Sequence, residues 1–275
     1  MELMEIIKES FVFPSTDLAK LAIYIVLTLV IGVLFSLGFF FAAAGPYNIP
    51  ISIVGVLILI GAFILAFILS GYIISIIKSG IERDDAVPEF SWKADLVSGI
   101  KYVVVTIVYF IIPAIITLLV GWATNLFGLS ADIVTKMAQA SMIAPANTTL
   151  LVTDVIPQSQ LVSLGTAITI TGIVAVVLFL IFSFIQTMAG ARLAKTDSLG
   201  YALNIPEAFK DIGRIGWGKV IATIVLIFII VIVINGIISG INNFINGFSI
   251  LSIIVTPYMG FFTARATGLL YSDIE

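Results

Sequence analysis

Long apolar stretches alternate with short polar loops along the whole chain. A membrane-spanning helix needs about 20 mostly apolar residues. Six stretches reach this length without an Asp, Glu, Lys or Arg: 21–44, 49–77, 102–120, 161–188, 220–241 and 248–264. The pattern predicts an all-α fold, a polytopic membrane helical bundle in which residues 1–275 form a single membrane domain with six transmembrane helices.

The loops between these spans have their own helical periodicity. Residues 1–20 alternate apolar and charged positions, which predicts a short interfacial helix ahead of the first span. Pro88-Glu89 and Pro206-Glu207 are typical of helix starts, because Pro needs no donor there and the carboxylate meets the positive end of the helix dipole. We expect interfacial amphipathic helices after both prolines, each joined to the next span by a corner, at Gly99 and at Gly216.

Apolar and basic residues on these two loop helices are candidates for interfacial docking. The residues are Trp92 and Lys93 in the first loop and Phe209 and Lys210 in the second. Such a surface would bind lipid or a protein partner, but an apolar linker also lies flat on a membrane without any partner. Both interpretations remain open.

Lys and Arg concentrate in alternate loops. Twelve of the 13 basic residues fall on one side of a six-span chain, and Lys136 alone falls on the other. Since cytoplasmic loops carry the excess of Lys and Arg, the pattern predicts a multi-pass protein of the cytoplasmic membrane with both termini cytoplasmic. Segment 121–160 is then on the outside, where Asn147-Thr148-Thr149 is a candidate glycosylation site and Ser130 predicts the start of one short helix.

Composition removes several classes of function. Apolar residues make up 60% of the chain and charged residues 11%, which excludes a water-soluble globular enzyme. Cys and His are absent, so thiolate nucleophiles, imidazole acid–base catalysis and Cys/His zinc sites are excluded. We expect no catalytic residue, no cofactor, no metal and no nucleic-acid partner.

Polar and helix-breaking residues inside the spans are candidates for a cavity or a hinge. They are Pro113, Pro257, Gln186 and Asn235. Proline removes a helical hydrogen bond, and a buried amide needs partners, so together they would suit a polar cavity. The alternative is that they only pack the bundle, because proline is tolerated in spans and single amides hold membrane helices together.

The chain also has an internal repeat in its pattern. Both long loops carry Pro-Glu followed by a basic residue thirteen positions beyond the proline, and Ala189-Gly190-Ala191-Arg192 is similar to Thr263-Ala264-Arg265. This predicts repeated helical hairpins that all start from the same side.

These motifs resemble a known family. Phe11-Val12-Phe13-Pro14 before the first span, Gly71-Tyr72 followed by Pro88-Glu89-Phe90, and Asp197-Ser198-Leu199-Gly200 are similar to the prokaryotic membrane family catalogued as domain of unknown function 4013. The resemblance implies a six-helix bundle, similar in plan to the membrane domains of some glycerophosphodiester phosphodiesterases. It implies no activity and no functional residue, and the long segment 121–160 departs from the pattern.

Two functions fit these observations. The prediction is a non-enzymatic membrane scaffold or a subunit that interacts with membrane lipids, a protein partner or a second copy of itself. The alternative is a transporter or permease-like protein for a small neutral or lipid-like molecule. A polar cavity that reaches the middle of the spans would favour the alternative.

Overall fold

The computed structural model describes residues 1–45, 48–143, 151–242 and 250–274. Within these residues it contains eleven α-helices and a short 3₁₀ turn at Phe13–Ser15. The helices are α1 Leu3–Val12, α2 Leu18–Ala42, α3 Ile49–Glu82, α4 Trp92–Ala123, α5 Leu126–Ile143, α6 Val152–Val155, α7 Gln158–Thr196, α8 Leu199–Ala202, α9 Ile205–Ile215, α10 Trp217–Asn242 and α11 Ile250–Tyr271.

Six of these helices are long and apolar enough to cross a membrane: α2, α3, α4, α7, α10 and α11. They contain the described residues of the six predicted spans except 43–44, which follow the end of α2, and this confirms the all-α, six-span fold class. Several are longer than the predicted spans, because the helices continue past the apolar stretch into polar residues at their ends.

The helices form two compact units. The first consists of Met1–Ile107 and Phe184–Glu275, and the second of Val108–Ser183. Helices α4 and α7 each contribute one end to the first unit and the other end to the second. The single membrane domain stays a prediction.

Helix α3 is the centre of the first unit and packs on both α2 and α11. Glycines permit these close crossings. A Cβ at Gly55 would lie 2.2 Å from the backbone nitrogen of Ala42 on α2, and a Cβ at Gly268 on α11 would lie 2.2 Å from the carbonyl oxygen of Ile77. Backbones in membrane bundles approach this closely only where small residues face each other.

The predicted helix at the start of the chain is present as α1. Its apolar side buries Ile6 and Ile7, and it packs on α11 and α10. Its place at the membrane surface stays a prediction.

The second unit holds a longer helix than the sequence predicted. The expected helix at Ser130 begins instead at Leu126 and ends at Ile143. The prediction took Ser130 as a cap, but its hydroxyl donates to the Leu126 carbonyl inside the helix. Asn125, with a positive φ of 56°, marks the turn between α4 and α5.

The prediction for the first loop was wrong in two respects. The helix begins at Trp92, four residues after Pro88, and it continues through Gly99 without a corner. Ser91 sets the start, because its backbone N–H donates to the Asp95 carboxylate at 2.8 Å. Gly99 is instead a crossing point, where a Cβ would lie 1.7 Å from the Phe67 carbonyl oxygen on α3.

The predicted helix and corner of the second loop are confirmed, whereas the place of this helix at the membrane surface stays a prediction. Helix α9 runs from Ile205 to Ile215 with Pro206 in its first turn, and Asn204 caps it by accepting from the Glu207 backbone N–H. Gly216, at a φ of 108°, separates α9 from α10.

Candidate functional site

A cavity of about 570 Å³ lies inside the first unit. All six long apolar helices contribute to its wall. The polar lining residues are Tyr24, Thr28, Tyr102, Gln186, Thr187, Asn235, Thr256, Thr263 and Thr267, and the others are aliphatic, Gly, Met or Pro. No Asp, Glu, Lys or Arg is among the described residues that line it. The wall is therefore polar but uncharged.

Gln186 is held at the α4 side of this cavity. Its side chain is 9% exposed, and its amide nitrogen lies 3.3 Å from the Tyr102 hydroxyl and 3.2 Å from the Thr106 hydroxyl. Gly190, one turn along α7, makes room for the Tyr102 ring, because a Cβ there would lie 3.2 Å from it. The glycine and the aromatic ring thus position the amide.

Helix α11 presents one polar face to the cavity. Thr256, Gly260, Thr263 and Thr267 follow one another at spacings of four, three and four residues, which places them on a single side of the helix. Sequence analysis missed this stripe, although its helical spacing was visible. The small Gly260 widens the space in the middle, where an added Cβ would meet only Ile73 at 3.9 Å.

Several polar groups of the wall are oriented by their own helices. The hydroxyl hydrogens of Thr28 and Thr267 are donated to the carbonyls of Tyr24 and Thr263, and the amide nitrogen of exposed Asn235 donates to the Val231 carbonyl at 2.8 Å. A hydroxyl that has donated its hydrogen keeps acceptor lone pairs. The hydroxyls of Thr28 and Thr267 therefore suit a ligand that donates hydrogen bonds.

A second space continues from the cavity between α2 and α11. It has a volume of about 590 Å³ and shares Thr28, Thr256 and Pro257 with the first. Most of its remaining wall is aliphatic: Leu29, Val33, Leu37 and Ile253, with Gly32, Ser36 and Ser252. From Ser252 to Thr267, the α11 residues that line the two spaces cover about 22 Å of helix axis.

The buried arginines of this unit are bound to acidic residues and do not line the cavity. Arg192 donates to the Asp211 carboxylate at 2.8 Å and to the Tyr201 carbonyl at 3.0 Å. Arg265 is fully buried and pairs with Glu9 at 2.6 Å. Its guanidinium also lies over the Phe13 ring, at 4.7 Å from the centroid. Both charges are neutralised within the protein.

The structure brings three of the four predicted cavity residues together. Gln186, Asn235 and Pro257 line the same space, whereas Pro113 belongs to α4 within the second unit. The cavity residues Tyr24, Thr28 and Tyr102 were not predicted. Their signal was weak, because single Tyr and Thr residues in an apolar span also occur where helices merely pack.

Asn147, the candidate glycosylation site, lies outside the described residues.

The two predicted docking pairs lie on different helices. Trp92 and Lys93 begin α4, where Trp92 is 52% exposed and stacks on Phe90 with ring centroids 6.4 Å apart. Both side chains are thus accessible.

The second pair lies on α9. Phe209 is 45% exposed and meets Trp217 edge-on at 5.0 Å, while Lys210 pairs with Glu207 at 2.7 Å. Lys210 and Arg214 lower the pKa of the Glu207 carboxyl. This surface is amphipathic and its charges are balanced.

Residues 53–243 match the sequence profile of the family described as Protein of unknown function (DUF4013). The chain belongs to this family. The match confirms the resemblance inferred from the loop motifs, and it spans α3 through α10. A search of curated proteins and a search of solved structures each returned no match. The DUF4013 family description assigns no function.

Proposed function

We propose that this DUF4013 protein is a non-enzymatic membrane protein that binds and conducts small neutral molecules bearing hydrogen-bonding groups. The cavity carries this proposal, because its polar groups are numerous and uncharged. Its volume of about 570 Å³ falls in the range of about 300–1,000 Å³ that is usual for small-molecule sites. The geometry thus favours the transporter alternative over the scaffold.

The absence of charge among the described lining residues defines the class of solute. A charged solute would lose its hydration shell in the cavity without gaining a counter-ion, and such a loss costs several kcal/mol or more. A neutral alcohol or amide exchanges its hydrogen bonds with water for bonds to threonine, tyrosine and amide groups. Neutral solutes are therefore the ones we expect to enter.

The second space supplies the route. The lining of α11 extends over about 22 Å, a large part of a hydrocarbon core that is about 30 Å thick. Pro257 lies where the two spaces meet and removes one helical hydrogen bond there. We place it as the hinge that adjusts this junction.

The test is solute flux through the purified chain in liposomes. Glycerol is added outside, and the re-swelling of the vesicles is followed by light scattering. We expect re-swelling faster than in protein-free liposomes, and about a tenfold lower rate for Gln186→Leu and for Asn235→Leu, since each change removes hydrogen bonds worth about 1 kcal/mol apiece.

The matched control is Thr169→Leu. Thr169 is exposed on α7, and its hydroxyl donates to the Gly165 carbonyl of the same helix. This variant should conduct glycerol at the unmodified rate. The proposal would be overturned by one result: proteoliposomes that re-swell no faster than protein-free liposomes in glycerol, in erythritol and in urea.

A scaffold is the second candidate function, and the exposed Trp92 and Phe209 favour it. Aromatic and basic residues at a membrane surface suit both lipid contact and a docked protein. If it holds, charge reversal in Lys93→Glu and Lys210→Glu should weaken association with anionic vesicles or with a partner, while the two cavity variants leave that association unchanged.

A further inference from the structure

We infer that the solute of this site is a lipid with an uncharged, hydroxyl-bearing headgroup. The headgroup would occupy the polar cavity, and one acyl chain would lie in the aliphatic groove, the space between α2 and α11 that continues from it. This inference rests on the proposed function and names its substrate class.

The headgroup is defined by what the threonines offer. Thr28 and Thr267 have donated their hydroxyl hydrogens to their own helices, so their oxygens keep acceptor lone pairs for an incoming ligand. A lipid hydroxyl supplies the matching donor. A phosphate oxygen supplies only further acceptors and therefore gains nothing from these groups.

Charge excludes the commoner membrane lipids. A phosphate head needs a cation, and no described lining residue carries one. The buried guanidiniums nearest in sequence to the lining residues, Arg192 and Arg265, are paired with Asp211 and Glu9. Extracting a phospholipid head from water into this cavity would thus leave its negative charge uncompensated.

The groove is shaped for a chain. Leu29, Val33 and Leu37 line its α2 side and are each more than 40% exposed, so the groove is open to the lipid that would surround the helices. From Thr28 to Leu37 it follows α2 for about 14 Å. Gly32 forms its floor on α2, and a Cβ built there meets nothing within 4 Å.

The open space at Gly32 permits a substitution that places a side chain in the groove. In Gly32→Leu the new side chain would project into the groove from a Cβ that meets no protein atom within 4 Å, and leucine is a better helix former than glycine. Gly61 on α3 is the matched control, since a Cβ there also meets nothing within 4 Å and the residue lines neither space.

The experiment measures retention of a photoactivatable diacylglycerol by the purified full chain, with phosphatidic acid of the same acyl composition as the competitor. We expect diacylglycerol crosslinking to resist a tenfold excess of phosphatidic acid and to fall about tenfold in Gly32→Leu and in Gln186→Leu. Gly61→Leu should retain it. Unchanged size-exclusion profiles and melting temperatures would verify that the variants fold.

Any of four outcomes would overturn the inference. Equal competition by phosphatidic acid would show that the head site does not select a neutral group. Equal crosslinking in Gly32→Leu and Gly61→Leu would show that no chain lies in the groove. Glycerol flux without diacylglycerol binding would exclude a lipid substrate but agree with the proposed function. Loss of both glycerol flux and diacylglycerol binding would exclude the lipid substrate and the proposed function together.

Discussion

A single carboxylate joins three helices at the charged end of the first unit. Asp211 on α9 is 1% exposed and accepts from Arg192 of α7 at 2.8 Å, from the Tyr271 hydroxyl of α11 at 2.8 Å and from Arg214 at 2.6 Å. Because Arg192 and Tyr271 are both buried around it, the carboxylate fixes where α9 lies against α7 and α11. The stability of this end therefore depends on one charge.

Asp211→Asn should strongly destabilise the protein. The amide keeps the shape of the carboxylate but leaves the Arg192 guanidinium buried without a counter-charge, and breaking a buried pair in this way costs about 3–5 kcal/mol. Thermal unfolding in detergent, followed by tryptophan fluorescence, measures the loss. The three tryptophans of the chain supply the signal.

Glu207→Gln is the control for this change. Glu207 pairs with Lys210 and Arg214, both of which are exposed, and exposed pairs contribute little to stability. Its melting temperature should stay close to that of the unmodified protein. Equal losses in the two variants would mean that burial at Asp211 does not matter.

At the scale of the element, α3 and α4 cross with their backbones in contact. A Cβ at Gly71 would lie 1.7 Å from the Asp95 carbonyl oxygen, and one at Gly99 would lie 2.9 Å from the Gly71 nitrogen. The facing glycines also let Ser75 donate to the Asp95 carboxylate at 3.0 Å across the crossing. A methyl group on either side forces the helices apart.

Gly71→Ala should therefore prevent or greatly weaken folding. Backbone atoms cannot yield as a side chain does, so the whole crossing must shift. Gly61→Ala, ten residues earlier on the same helix, meets open space and should be neutral or stabilising by about 0.5–1 kcal/mol. Yield of the monodisperse protein and its melting temperature distinguish them, and similar values for both would contradict the crossing as described.

The same crossing explains where the sequence was a sufficient guide and where it was not. Spans follow from apolar length, and α9 follows from Pro206 and Gly216, because both are local signals. The residues around Gly99 do not indicate that it packs against Phe67. The sequence therefore predicted a corner at a position that lies inside α4. A glycine in sequence does not say whether it serves a bend or a close contact.

The cavity shows the same limit. Gln186, Asn235 and Pro257 were predictable one by one, since each is an exception within an apolar span. Helix packing brings these three residues to one space and leaves Pro113 in the other unit. The periodicity of the sequence alone does not determine this packing.

At the scale of the molecule, three polar links repeat within the first unit. Each joins an acidic residue, before a helical hairpin or in the first turns of its first span, to the last span of another hairpin: Asp95 to Ser75 of α3, Asp211 to Arg192 of α7, and Glu9 to Arg265 of α11. The repeated-hairpin hypothesis predicts such equivalent links, although the side chains that form them differ. The links favour the repeat, which stays a hypothesis.

Sidedness is the last prediction, and it rests on charge. Lys136, the one basic residue outside the predicted cytoplasmic set, lies on α5 and pairs with Asp132 at 2.9 Å. Lys136 and Gln160 lower the pKa of that carboxyl, so the carboxylate stays ionised and neutralises Lys136 at physiological pH. The excess of Lys and Arg falls on the opposite side, and that count is what the positive-inside rule uses.

Single cysteines test this orientation directly, because the chain contains none of its own. Ala131 on α5 and Ala86 between α3 and α4 are both exposed. A membrane-impermeant maleimide should label Ala131→Cys on intact cells, and it should label Ala86→Cys only after lysis. The reverse pattern would invert the topology, and labelling of both residues from one side would mean that α4 does not cross the membrane.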